Sequence, residues 1–399
     1  MMRNASGSFD LQRPLRARAL ALTVASAVLA AAASAAVPPP LPEEHLTEAK
    51  LPAPTPHWVW VFDDAINNEI DMRLHLYDAD AYRTLGQIDM GYWPMVALSP
   101  DGKTAAAATT YFSRGNKGTR TDVVEFTDTA TLETKREVAL PPKRIMSVQT
   151  FFSLSFSSDG HLLYVPYVTP AASLGVIDVQ KNTLVGEVDT AGCVLAIPGG
   201  PNRVSAICEN GKLLTVTLDA TGHEVSRATS EAYFDVDKDP VFAQGIPSAG
   251  TVTFVSFDGM VHEVDATGAK ATFKAPWSVT EGAEKGVWRP GGVQIGAIHA
   301  QLGRLYLPMH KGGQEAHKDG GTEIWVLDMK THKRIARWSL GSKDIPPIVS
   351  VQVSQDPKPL LFAATNSDTA QFIVYDALTG KVKHVEKHLG QTPWLMFNP

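Results

Sequence analysis

The chain has 399 residues, 44% of them hydrophobic, a formal net charge of −6 and only two cysteines. An acidic balance gives no electrostatic reason to bind nucleic acid, whose phosphates are read by clustered Lys and Arg. Two cysteines with no His or Cys neighbour at ligand spacing leave no basis for a cysteine-held metal.

The N-terminus reads as targeting sequence. Arg13, Arg16 and Arg18 precede an apolar run from Ala19 to Ala33, and Ala33-Ser34-Ala35 offers the small-residue cleavage pattern. Residues 1–35 are therefore expected to be a secretory signal peptide, removed after Ala35 or Ala36, which places the protein in the periplasm. The run is too short and too rich in Ala to favour a membrane anchor. Cleavage removes four Arg and one Asp, moving the formal charge from −6 to −9. Residues 36–56, rich in Pro, Glu and Ala, are expected to form an extended arm or linker or to be disordered. Residues 57–399 show no second composition and no further linker, so they read as one domain.

Within that domain one phrase recurs. Apolar and β-branched residues run for a few positions and an Asp stops them, which reads as a buried strand ending in a turn. Examples are Arg73-Leu74-His75-Leu76-Tyr77-Asp78 and Glu323-Ile324-Trp325-Val326-Leu327-Asp328. The closing aspartates are Asp78, Asp128, Asp178, Asp219, Asp265, Asp328 and Asp376, spaced 41 to 63 residues apart. A period of that size in strand-rich sequence predicts an all-β fold, a seven-bladed β-propeller with four strands per blade.

Each blade follows one grammar. An innermost strand enters a turn such as Ser99-Pro100-Asp101-Gly102 or Ser157-Ser158-Asp159-Gly160, where Asp-Gly between apolar runs signals a tight hairpin. A second strand follows (Thr104 to Thr110; His161 to Tyr167), then the Asp-terminated strand, then a more polar fourth such as Lys135 to Leu140. The first unit begins at its second strand, Trp58-Val59-Trp60-Val61. The last residues, Trp394-Leu395-Met396-Phe397, form an innermost strand with nothing after it. The C-terminal strand is thus expected to pair into the first blade and close the ring, removing open sheet edges.

The cysteines fall in one hairpin. Cys193 starts the strand Cys193–Pro198, Cys208 ends Arg203–Cys208, and Gly199-Gly200-Pro201-Asn202 joins them. A hairpin centred on that turn sets the two directly opposite each other. With export permitting oxidation, a Cys193–Cys208 disulfide is expected.

The long connections lie between second and third strands (Asp63 to Asp71, Ser113 to Thr121, His310 to Thr322) or between blades (Pro141 to Thr150, Glu231 to Pro240, Trp277 to Gly292). In a propeller both kinds emerge on one face, where binding usually sits. Tyr111-Phe112-Ser113-Arg114 with Lys117 and Arg120 is aromatic and basic, and Trp288-Arg289-Pro290-Gly291-Gly292 is compact. Exposed Trp and Arg are favoured interface anchors.

From about Val59 onward the chain resembles the heavy (large) subunit of the tryptophan-tryptophylquinone amine dehydrogenases. The phrases that carry the resemblance are Phe112-Ser113-Arg114 through Glu125, Leu140-Pro141-Pro142-Lys143-Arg144, Gly192-Cys193 with Ile207-Cys208-Glu209-Asn210-Gly211, Trp288 to Gly292, and His317-Lys318 before the Glu323 strand. Some segments look closer to the aromatic-amine branch. The tail Val353 to Leu361 looks closer to the methylamine branch.

The resemblance implies that tryptophan tryptophylquinone resides in a small, disulfide-rich partner light chain. No catalytic residue, cofactor or metal is then expected in this chain. It would scaffold the light chain, with Phe112, Arg114, Arg120, Trp288, Arg289, His317 and Lys318 expected at the interface, and it would line the substrate channel. Two heavy and two light chains would oxidise a primary amine to aldehyde and ammonia, passing electrons to a cupredoxin of the amicyanin or azurin type. No membrane partner is implied. The family places a Phe in the first-blade loop at the channel mouth; here the equivalent position falls at Ile66 or Asn67, which puts substrate size preference in question. The alternatives are a non-catalytic periplasmic binding scaffold and a propeller hydrolase or lactonase. The innermost strands, rich in Val, Ala, Leu, Ser, Phe and Gln, do not supply the carboxylates that a hard-cation site in such a hydrolase needs.

Overall fold

A computed structural model describes residues 49–248, 250–365 and 370–398. The 1–35 signal peptide and most of the 36–56 arm lie outside the described residues. At the end of the arm, the Leu51 N–H donates to Ala130 O at 2.8 Å and its side chain packs partly into the core.

The described chain is all-β. Its only helical segments are the single 3-10 turns Ile66–Asn68, Gly282–Glu284 and Gln314–Ala316. Antiparallel strands group in fours along the sequence. Cys193–Pro198, Arg203–Cys208, Leu213–Leu218 and Glu224–Thr229 form one such group, and Ile348–Val353, Leu360–Thr365, Phe372–Asp376 and Val382–Glu386 another. The first sheet has seven strands because Arg83–Leu98 serves two groups. Its first half pairs with Met72–Asp78 and its second with Thr104–Arg114. Between the halves Trp93 takes φ 45° and the register shifts, so one continuous strand turns out of one group and into the next.

The recurring aspartate has a local cause. Asp78 Oδ1 accepts the N–H groups of Asp80 and Ala81 at 3.0 and 3.1 Å, and Asp128, Asp328 and Asp376 repeat the pattern two and three residues on. A short carboxylate thereby satisfies the backbone donors freed where the strand stops. The chain then reverses through a left-handed residue at Tyr82, Leu132, Asn182, His332 or Gly380.

Strand sequences alternate so that both faces of these sheets meet apolar neighbours. Ala106, Ala108, Val124 and Phe126 pack against Phe156, Leu163, Val165 and Ile177 of the following group. Val59, Val61 and Tyr77 of the first group pack against Leu360, Phe362, Phe372 and Val374 of the last. Each Val, Leu, Ile or Phe among them contributes about 1.5–3 kcal/mol when fully buried.

Three features join the first group to the end of the chain. Pro393–Phe397 pairs antiparallel with Trp58–Asp63. The Asp63 carboxylate accepts N–H groups from Gln391 at 2.9 Å and Thr392 at 2.6 Å, and from Ala65 at 3.2 Å. At the strand's other end His57 lies 3.3 Å from Asp356 and 2.8 Å from Asp80.

The structure corrects three sequence expectations in detail. The segment Ser113–Thr121 is a hairpin rather than a loop: Thr104–Arg114 and Lys117–Asp128 stay paired to Arg114 and Lys117, with Gly115-Asn116 as the turn. Trp277-Ser278 still pairs with Met260-Val261, and Trp288–Pro290 pairs with Met309–Lys311, so the connection between groups is shorter than Trp277 to Gly292. In the cysteine hairpin, Pro198 faces Val204 and Ile197 faces Ser205, a register one residue off a hairpin centred on the turn. A bulge with Leu195 at φ 70° absorbs the offset and brings Cys193 opposite Cys208.

Candidate functional site

Several of the connections at the strand ends hydrogen-bond to one another, some within a strand group and some between groups. The Asp64 N–H reaches Thr392 O, Val168 N–H reaches Lys143 O, Tyr233 N–H reaches Gly211 O, and Gly292 N–H reaches His317 O.

In the first connection Asp63 is fixed by its three backbone donors, and Ala65 enters the left-handed region at φ 38°. That reversal starts the turn Ile66–Asn68, which leaves Ile66 47% exposed; Ile70, four residues later, is 50% exposed. Asn67 is also exposed. Asp64 is buried, and its Oδ1 has no hydrogen-bond partner. Burial, and then the neighbouring Asp63 charge, push its carboxyl up to about 6, with Gln149 opposing.

The second element is the long hairpin. Phe112 packs edge-on against Tyr92 with centroids 5.7 Å apart, and Tyr111 Oη donates to Glu125 at 2.9 Å. The Ser113 hydroxyl accepts the Thr119 N–H, and Gly118 leaves room for that hydroxyl, which a Cβ would meet at 2.3 Å. Arg120 is committed to the buried Asp122 through bonds of 2.8 and 2.6 Å, whereas Arg114 is exposed. Beneath the hairpin, buried Arg144 donates to Trp93 O, Tyr92 O and Thr110 Oγ1 at 2.7, 2.9 and 2.9 Å. Burial pushes its guanidinium down to about 10, with Asp122 opposing. Arg144 clamps the bent part of Arg83–Leu98 to the base of the hairpin, a role the phrase Pro-Pro-Lys-Arg did not disclose.

The third element is Trp288 to Gly292. Trp288 is 9% exposed; its ring lies 5.4 Å from that of Trp325, with the Arg337 guanidinium 4.6 Å above it. The Arg289 side chain is 12% exposed and bonds Gly312 O and Asp258. Both residues are thus held largely inside their own chain. Gly291 admits Asp319 O and the His310 ring where a Cβ would stand, which brings the Gln314–Ala316 connection onto this strand. His317 stacks on Phe257 at 4.1 Å, and Lys318 is exposed. The Cys193–Cys208 disulfide is formed at the same end of its hairpin.

Sequence reasoning missed a different set of residues. Ile70, Val148, Val168, Val194, Val236 and Val287 are exposed, and all sit in these connections or at the strand ends that meet them. The signal was a lone β-branched aliphatic in a stretch otherwise made of turn formers, as in Ser147-Val148-Gln149. Where such residues adjoin to make a contiguous patch, they mark an interaction surface. Among the described residues no three His, Cys, Asp or Glu side chains are placed to hold a metal, and no helix is long and apolar enough to cross a membrane.

The family model for the methylamine dehydrogenase heavy chain (MADH) matches residues 57–398. The methylamine dehydrogenase heavy chain of Paracoccus versutus is 30% identical over 352 residues, covering 86% of this chain and 80% of its own. That of Methylophilus methylotrophus is 28% identical over 362 residues, covering 89% and 86%. A solved structure of dihydro-heme d1 dehydrogenase NirN shares the fold at 14% identity, with a TM-score of 0.57 over 90% of this chain and 79% of that one.

Proposed function

The chain belongs to the methylamine dehydrogenase heavy-chain family, and from that premise we propose that it is the scaffolding subunit of a periplasmic quinoprotein amine dehydrogenase. Its four-strand groups are read as seven blades, with Pro393–Phe397 closing the ring against Trp58–Asp63; the shared core between first and last groups supports this. The light chain carries tryptophan tryptophylquinone, which supplies the oxidation of a primary amine to aldehyde and ammonia; a cupredoxin takes the electrons. Two heavy and two light chains assemble. The 1–35 segment directs export and 36–56 is the arm.

The observation that carries the docking part is the exposure of Ile66, Ile70, Val148, Val168 and Val287 in the connections. A monomer rarely leaves a large contiguous apolar patch uncovered. On this reading Phe112, Arg114 and Lys318 meet the light chain directly. Arg120, Trp288, Arg289 and His317 hold the loops that do, since each is engaged by neighbours in its own chain. Ile66 and Asn67 line the amine's path. This chain then contributes position and exclusion of water, while the partner's cofactor performs the redox step.

The test is purification from the native periplasm. The expected result is co-elution of a small disulfide-rich protein and a quinone absorbance band. Isolation of the chain alone, with neither, overturns the reading.

A further inference from the structure

Leu98, Phe156, Pro198, Ile298, Gln352 and Phe397, each from a different strand, line one cavity of about 590 Å³. That volume falls within the roughly 300–1,000 Å³ of small-molecule sites. The turns Ser99-Pro100 and Ser157-Ser158 contribute to its wall, and none of the long connections does. The described lining holds no Asp, Glu, Lys, Arg or His. A charged guest would lose its hydration there and gain no counter-charge, so the cavity selects a neutral one. Phe151 also lines it and meets Phe397 edge-on, with centroids 5.4 Å apart. Phenylalanine rings hold a further ring through the same edge and offset contacts. Several polar side chains of the wall are committed to their own chain. The Ser99 hydroxyl donates to Asp101 at 2.7 Å and accepts the Thr104 N–H at 3.0 Å, and Ser157 does the same with Asp159 and Leu162. The Gln352 amide donates to Met396 O, and that of Gln355 to Ile298 O. Asn398 differs: its Nδ2 donates to Val353 O, while its buried Oδ1 has no donor. It is the one described lining residue with a buried, unpaired side-chain polar atom. Buried polar atoms are normally paired, so a guest that completes this wall is apolar over most of its surface and brings one O–H or N–H group.

We propose that this cavity is a binding site for a small neutral aromatic alcohol, its ring among Phe151, Phe156 and Phe397 and its hydroxyl donating to Asn398 Oδ1. The cavity shares no lining residue with Phe112, Arg114 and Lys318 or with Ile66 and Asn67, so the proposal goes beyond the amine dehydrogenase reading and does not depend on it. A primary amine of the same shape is rejected: it is an ammonium ion at neutral pH and carries a charge that this wall cannot match. A carboxylate of the same shape is rejected for the same reason, and it brings no donor to Asn398. A hydrocarbon keeps the ring contacts but leaves the Asn398 oxygen unpaired.

The experiment is titration calorimetry of the whole chain at neutral pH. Benzyl alcohol is compared with toluene, which has the ring and no donor, and with benzoate, which has the ring and a charge. The expected result is a saturable one-site isotherm for benzyl alcohol, affinity about two- to tenfold weaker for toluene, the worth of one neutral hydrogen bond, and no binding of benzoate. Asn398→Ala should bring benzyl alcohol down to the level of toluene. Ser248→Phe, at a half-buried position of the wall, should fill the cavity and abolish binding of both. Absence of a saturable isotherm for benzyl alcohol, equal affinity for benzoate, or binding unchanged in Ser248→Phe each overturns the proposal. Should Ser248→Phe fail to fold, Asn398→Ala decides, and a preference for benzyl alcohol over toluene that survives it overturns the proposal. None of these outcomes depends on whether a light chain co-purifies.

Discussion

Replacing Asp63 tests how the first strand group is held to the end of the chain. Its carboxylate lies in a buried site where three backbone N–H groups converge, two of them from residues 328 and 329 positions away in sequence. Asp63→Ala leaves those donors without an acceptor. One such buried donor costs about 1–3 kcal/mol, so three partly relaxing together should cost about 3–5 kcal/mol. Burial alone would raise the carboxyl's pKa, but His75 and the three backbone donors more than offset it, and the net shift is downward. A folded-state pKa below the unfolded value contributes stability that is present above the unfolded value and lost as pH falls through the folded one. Urea unfolding followed by tryptophan fluorescence is the assay, since Trp58, Trp60 and Trp394 flank the joint. The wild type should lose this increment in acid, below about pH 4. The Ala variant should be weaker at neutral pH and show a smaller acid-dependent loss. A variant within 1 kcal/mol of wild type at pH 7, or one with the same acid profile, would refute the reasoning.

Three further outcomes are expected. Cys193→Ser with Cys208→Ser should lower stability by about 3 kcal/mol, the chain-entropy value for a closed loop of this length, and non-reducing peptide mapping of the wild type should recover neither cysteine as a free thiol. Val148→Asp with Val287→Asp, both at exposed positions, should leave the melting temperature within about 1 °C while abolishing light-chain capture, because surface substitutions usually change stability by under about 0.5 kcal/mol; normal capture would move the docking surface elsewhere. Ile66→Phe should leave assembly intact and shift amine preference by roughly 1–3 kcal/mol in kcat/KM, the worth of one side chain's bulk in a pocket, and an unchanged preference would remove Ile66 from the path.

The sequence made the strand repeat legible because its cause is local: an Asp that caps the turn must sit at the strand's end, so it recurs in phase. The cysteine pairing was also legible, although for a reason only partly right, since the bulge at Leu195 and the off-centre turn cancel. Trp288 and Arg289 show where the reading ran out. An aromatic and a guanidinium in a Gly- and Pro-rich stretch suit an exposed anchor, yet here the Trp325 ring, Arg337 and the Gly312 carbonyl are close enough to claim them. Those partners lie 23 to 49 residues away, and nothing nearby in sequence reveals them. The exposed valines were overlooked for the opposite reason: an isolated Val carries no motif, and only its placement beside other such residues gives it meaning.

The strand that completes the first group is synthesised more than 300 residues after the strand it pairs with. Until it arrives, Trp58–Asp63 presents an unpaired edge and Asp63 has no partners from Gln391 and Thr392. Arg83–Leu98 ties that unfinished group to the next, so the earliest-made part of the domain cannot settle first and wait. A ribosome that stops early therefore yields a chain with a raw apolar edge, the kind of product that quality-control proteases and chaperones recognise. Pairing Pro393–Phe397 with Trp58–Asp63 makes synthesis through Phe397 a condition of completing the first group.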